Sequence, residues 1–141
     1  MKNKKINFIP GLGEKPSDYK ALSKYLNIID VDWNNCKTKI GKVDTLIGFS
    51  LGAVLAVIHA EKSKVETLIL CSLTPLENLK DVKANEIIFI VGSKEKFCLE
   101  NIRRVYKTLK CKKRIIIIPK AGHRITGEYR EKLLELIKDI S

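Results

Sequence analysis

The pentapeptide Gly48-Phe49-Ser50-Leu51-Gly52 constrains this chain more than any other feature. The apolar run Thr45-Leu46-Ile47 leads into it, and the almost wholly apolar residues 51–58 lead out. A short apolar run followed by a helix-length one reads as strand, sharp turn, helix. Glycines beside such a turn let neighbouring backbone pack where a Cβ would clash. A serine at its apex stands exposed at the end of a buried sheet, the position of a nucleophile. The Gly-x-Ser-x-Gly pattern alone is cheap. At average Gly and Ser usage, a random chain of this length carries one roughly 5% of the time. Its surroundings decide its meaning.

Those surroundings repeat one alternation. Residues 5–9 form an apolar run ended by Pro10-Gly11, a first strand. Pro16-Ser17 reads as a helix start with Ser17 as N-cap, followed by Tyr19, Leu22 and Leu26 at helical spacing. Residues 28–33 read as the second strand and 43–49 as the third, with its helix over 51–61. That helix is apolar nearly all round, which predicts a central, buried position. Residues 65–71 read as the fourth strand and 72–85 as a loop with room for a short helix. The β-branched run 86–91 is the fifth strand. Ile102, Val105, Tyr106 and Leu109 mark a helix, 115–118 a sixth strand, and Tyr129 to Ile140 a final amphipathic helix.

Continuous apolar strands alternating with helices predict an α/β fold: a three-layer sandwich around a mostly or wholly parallel sheet of about six strands. With no linker or internal repeat, the 141 residues read as one domain over 1–141, with no space for a cap. No apolar run approaches the 18 or more residues of a membrane span. The basic start, Met1-Lys2-Asn3-Lys4-Lys5, precedes too short an apolar run for a signal peptide, so the expected location is cytoplasmic.

In open parallel sheets, ligands bind beyond the carboxyl ends of the strands. Ser50 follows the third strand, Glu95 the fifth and His123 the sixth. A serine hydroxyl needs a base to become a nucleophile, and neutral histidine serves near pH 7. A carboxylate fixes the histidine tautomer. Glu77 and Asp81, after the fourth strand, are alternative acids. Two amides must hold the developing oxyanion. Leu51, next after the serine, supplies one; the Gly11-Leu12-Gly13 turn supplies the other, through Leu12. The second histidine, His59, lies in the apolar helix and reads as structural. Phe97, Leu73 and Leu12 are candidates to line an acyl pocket. Lys94, Lys96, Lys120 and Arg124 are candidates for a positive rim.

These residues together resemble a small, cap-less member of the α/β-hydrolase family over nearly the whole chain. The glycine turn at Gly11-Leu12-Gly13 is similar to the family's oxyanion turn, and residues 48–52 to its nucleophile elbow. Gly92-x-x-Glu95 is similar to its acid turn, and Gly122-His123 to its late histidine. The resemblance implies strand order 2-1-3-4-5-6 with right-handed crossovers. Three features depart from the family pattern: Glu95 for the commoner Asp, Pro10 where many members have His, and a 34–42 connection too short for a full helix. The expected activity is hydrolysis of a small ester or thioester through an acyl-enzyme, with no metal or organic cofactor.

Two other classes remain open on the sequence: a non-catalytic interaction protein on the same fold, and a binder of nucleic acid or an anionic surface. The second is motivated by the net charge of +11, densest where residues 103–114 hold seven basic side chains in twelve. Lysine outnumbers arginine 22 to 5, and aromatic interleaving is sparse, so these charges read as a solvated helix face and nucleic acid is not the expected partner. The four cysteines, Cys36, Cys71, Cys98 and Cys111, form no Cys-x-x-Cys pair, and neither a zinc site nor a disulfide framework is indicated.

Overall fold

The computed structural model describes residues 5–140; the basic stretch at residues 1–4 lies outside the described residues. The strands are β1 (Ile6–Ile9), β2 (Asn27–Ile28), β3 (Thr45–Phe49), β4 (Val65–Cys71), β5 (Ala84–Gly92) and β6 (Lys112–Ile118). The helices are α1 (Leu51–Lys62), α2 (Lys96–Tyr106) and α3 (Gly127–Ile140). All strand pairs are parallel, in the order β2-β1-β3-β4-β5-β6. This is the expected order.

Period-two alternation sorts the apolar strand residues onto two covered faces. Leu46, Leu68, Leu70, Ile87 and Phe89 pack with Ala53, Ala56, Ala60 of α1 and Ile102, Val105 of α2. Ile47, Phe49, Ile69, Ile88 and Ile90 pack with Leu22, Leu26 and with Tyr129, Leu133, Ile137 of α3. The alanines of α1 bring its backbone close to β3 and β4. Ile58, on the outer side of α1, is exposed, so the helix is central but not buried all round.

The structure differs from the sequence expectations in five places. The second strand stops at Ile28, because the Asp32 carboxylate accepts from the Asn34 amide and Asn35 side chain and folds a tight turn there. Ser17 is not a cap: Pro16–Tyr19 is one 3-10 turn after Lys15, whose amide donates to Asp18. Leu22 and Tyr25 continue it with bonds to the carbonyls three residues back, so Tyr19, Leu22 and Leu26 bury without an α-helix. The 72–83 crossover carries no helix; Leu73 and Leu79 anchor it in the core. The helix expected over Ile102 to Leu109 runs earlier, over Lys96–Tyr106, because the chain must turn before β6.

The basic stretch 103–114 is therefore spread over a helix end, a turn and an edge strand. Several of its charges have internal partners. Arg104 donates to the Leu76 and Glu77 carbonyls, pinning the crossover to α2. Lys113 donates to the Tyr106 and Leu109 carbonyls at the end of α2, and Arg114 pairs with Glu86 at 3.7 Å. Cations on the first residues of an edge strand also discourage strand pairing with another chain. Among the described residues, no helix is long and apolar enough to cross a membrane.

Candidate active site

The turn after β3 is tight because its glycines are packed against backbone. A Cβ on Gly48 would run into the Gly52 carbonyl and Ala53, and one on Gly52 into the Ile9 and Pro10 carbonyls. Ser50 takes φ +57°, ψ −119°, a conformation L side chains rarely adopt. The surrounding packing holds that strain. It throws the hydroxyl off the end of the sheet while Ser50 N is tied to the Cys71 carbonyl at 2.9 Å.

The structure brings Ser50, His123 and Glu95 into one hydrogen-bonded line. His123 Nε2 lies 2.8 Å from Ser50 Oγ, and His123 Nδ1 lies 2.5 Å from Glu95 Oε1. Glu77 and Asp81 are exposed on the crossover and make no described contact with His123. The His123 turn packs directly over the end of β5, where a Cβ on Gly92 would meet the Ala121 carbonyl.

Glu95 is buried and well supplied with donors. Its Oε2 accepts from the Gly92 amide at 2.7 Å and from Ser72 Oγ at 2.7 Å. Ser72 in turn meets Tyr129 Oη of α3 at 2.8 Å, and Tyr129 donates to the Ile90 carbonyl at 3.1 Å. Ser72 has one proton, and it goes to Glu95. The phenol therefore supplies the proton between the two hydroxyls and shares it with Ile90. Burial pushes Glu95 up, but the bonds from His123, the Gly92 amide and Ser72 outweigh it and hold the carboxyl below its ordinary value. The hydrogen bond to Glu95 raises His123 above its ordinary value; burial opposes this, and the charges of Glu95 and Glu14 add to it.

Leu51 carries the first amide of α1, one of those a helix leaves without an intrahelical acceptor. Leu12, 65% exposed, borders the groove into which Ser50 and His123 open. Its turn is tied twice: Glu14 N donates to the Gly11 carbonyl at 3.0 Å, and Gly11 N donates to Glu14 Oε1 at 2.6 Å. Tyr19 Oη donates to the same carboxylate oxygen.

The groove holds about 530 Å³ and is also lined by Glu14, Asp18, Phe49 and Arg124. Its charges are mixed, which corrects the expected positive rim; of the four candidates only Arg124 lines it, while Lys94, Lys96 and Lys120 are exposed elsewhere. Two of three expected pocket residues are elsewhere. Leu73 is wholly buried beneath the crossover, and Phe97 is 81% exposed at the start of α2. A larger groove, about 830 Å³, runs between α1 and residues 27–40 and contains no part of the Ser50 line. His59 borders it, half-buried, with Nε2 lacking a partner among the described residues.

Ser72, Tyr129, Glu14 and Cys98 escaped the sequence reading as site residues. Ser72 alone had a legible signal, its place after the fourth strand. One ligand atom each from Glu95, Cys98 and His123 lies within 4.8 Å of the others, a set joining a carboxylate, a thiol and an imidazole. All four cysteines are free, and Cys36 is exposed.

No protein-family model matches the sequence, and no curated protein does. Solved structures do. MenH from S. aureus is 11% identical with a TM-score of 0.75, over 99% of this chain and 95% of that one. A dienelactone hydrolase from Anabaena variabilis is 17% identical with a TM-score of 0.70, over 96% and 84%. An α/β hydrolase from a metagenome of lagoon sediments at Mar Chica, Morocco, is 16% identical with a TM-score of 0.70, over 97% and 90%. The chain has the α/β-hydrolase fold, in a minimal six-stranded form.

Proposed function

We propose that the protein is a serine hydrolase that cleaves a small ester or thioester through an acyl-enzyme. The observation that carries this reading is the unbroken line Ser50 Oγ–His123–Glu95, at 2.8 and 2.5 Å. With Glu95 ionised, His123 keeps its proton on Nδ1 and turns a lone pair toward Ser50. Ser50 Oγ attacks the acyl carbon as His123 Nε2 takes its proton. The Leu12 and Leu51 amides hold the oxyanion, the largest single source of barrier lowering in such reactions. His123 then protonates the leaving group and draws a proton from the water that releases the acyl group. The reading calls for no metal or organic cofactor. Hydrolases and esterases among the neighbouring structures support the reaction class. Internal engagement of Arg104, Lys113 and Arg114 supports the view that the basic charge serves the fold.

Labelling with a fluorophosphonate probe tests this directly. Wild type should label and hydrolyse p-nitrophenyl acetate and butyrate. Ser50→Ala should not label, and both Ser50→Ala and His123→Ala should lose turnover by about 10⁴–10⁶-fold. A wild type that neither labels nor outpaces Ser50→Ala would overturn the proposal.

A further inference from the structure

Behind His123, the Glu95 carboxylate has a thiol neighbour, Cys98, that proton relay does not require. Glu95 stands just ahead of α2, and Cys98 lies three residues on, in its first turn. That spacing puts both on one side of the helix start, and the His123 turn packs over them through Gly92 and Ala121. The result is one carboxylate oxygen, one thiol sulfur and one imidazole nitrogen, mutually within 4.8 Å.

We infer that Glu95, Cys98 and His123 form an inhibitory zinc site. The inference rests on the hydrolase reading for its effect on activity, but not for the binding itself. Zn²⁺ takes sulfur, nitrogen and oxygen donors in a tetrahedron, at about 2.3 Å for sulfur and 2.0–2.2 Å for the others. Ligands around such an ion stand roughly 3.3–3.6 Å apart. The three donors lie within 4.8 Å of one another, so small side-chain shifts bring them to that spacing. The main adjustment is an opening of the 2.5 Å bond between His123 Nδ1 and Glu95 Oε1 to admit the ion.

Charge permits the site although the chain is cationic overall. The thiol of Cys98 gives up its proton to solvent on binding, as metal-bound thiols do. Thiolate and carboxylate together neutralise Zn²⁺, so the flanking Lys94 and Lys96 oppose a neutral centre rather than a dication. Without metal, burial and then the Glu95 charge hold the Cys98 thiol above its ordinary value, so it is protonated and inert.

The consequence for the candidate nucleophile follows from tautomer chemistry. In the relay, Nδ1 carries the proton and Nε2 accepts from Ser50. Zinc takes the Nδ1 lone pair. The neutral ring must then carry its proton on Nε2, where it donates to Ser50 Oγ instead of accepting from it. Ser50 loses its base without any residue leaving the site. Glu95 is also withdrawn from orienting the ring.

Cobalt(II) and zinc(II) chloride serve as probes on the full chain, in a Cys36→Ser background that removes the exposed thiol. Cobalt should produce thiolate-to-metal charge-transfer absorption in this background, and Cys98→Ser and Cys98→Ala should abolish it. Zinc should inhibit p-nitrophenyl acetate hydrolysis, reversibly with EDTA. Relative to its own zinc-free turnover, Cys98→Ser should need roughly 10–100-fold more zinc for inhibition, the scale on which metal sites lose affinity when their support is removed. Absence of the absorption, its persistence in both Cys98 variants, or equal zinc sensitivity with and without Cys98 would overturn the inference. If the protein hydrolyses no ester, the hydrolase reading falls, while the cobalt spectrum still decides the site.

Discussion

Ser72 Oγ, at the end of β4, donates to Glu95 Oε2, beyond the end of β5, at 2.7 Å, and both residues are buried. This bond joins two strand ends behind the candidate acid. Ser72→Ala leaves a buried carboxylate oxygen one donor short, which costs about 1–3 kcal/mol. Glu95 is depressed in the folded state, so its contribution is present above its unfolded value and lost as pH falls through the folded one. Urea melts should therefore show the Ser72→Ala deficit near neutral pH and a shrinking deficit below about pH 4. Ser72 also has φ +48°. Ser72→Gly loses the same bond but relieves the backbone, and should be more stable than Ser72→Ala by about 1 kcal/mol. Equal stability of the two variants would contradict this account.

The identity of the acid is testable by kinetics. Glu95→Gln keeps the shape but removes the charge that fixes the His123 tautomer, and should lower kcat by about 10³–10⁴-fold. Glu77→Gln and Asp81→Asn, exposed on the crossover, should leave it unchanged. A large loss in either crossover variant would move the acid.

The pH profile follows from the raised histidine. In the proposed mechanism His123 must be neutral to serve as a base, so kcat/KM should rise with pH through a limb above the ordinary histidine value of about 6.5. The hydrogen bond and charge of Glu95 cause most of the raising, so Glu95→Gln should shift that limb to lower pH. A limb that stays in place would show that another group titrates there.

Glycine substitutions separate close packing from simple turn preference. Gly52→Ala drives a Cβ into the Ile9 and Pro10 carbonyls, backbone that cannot swing away, and should cost about 1–3 kcal/mol or more by chemical denaturation. Gly92→Ala pushes on the Ala121 carbonyl and should lower kcat by displacing the His123 turn. Gly122→Ala, whose Cβ would have open space, should be tolerated in both assays. Loss of kcat in Gly122→Ala would sink this reading of the turn.

The resemblance drew on local patterns, and local patterns are what survived. Gly48 to Gly52 announces an elbow because strand, turn and helix are contiguous. Ser50, Glu95 and His123 were legible because each follows a strand, and parallel strands bring those ends to one side of the sheet. Errors fell where the local signal was weak. Tyr19, Leu22 and Leu26 have helical spacing, yet bonds three residues back bury them equally well. Residues 30–33 have strand-like residues, but the Asp32 carboxylate captures the following amides and ends the strand.

By itself the sequence determined the alternation of strands and helices, the glycine turn that carries Ser50 and the chain order of Ser50, Glu95 and His123, because hydrophobic periodicity and glycine turns act over a few residues; the sheet order was only what the resemblance implied. Only the tertiary structure decided which groups surround the acid. Ser72 reaches Glu95 across 23 residues and Tyr129 across 57. Cys98 joins Glu95 and His123 only because the β6–α3 turn lies over the start of α2. Periodicity tells that a side chain such as Tyr129 or Cys98 lies on a helix, and says nothing of which distant polar group it meets. Their partners are chosen by packing: Gly92 lets the Ala121 carbonyl sit against β5, and burial then makes an unpaired donor or acceptor costly.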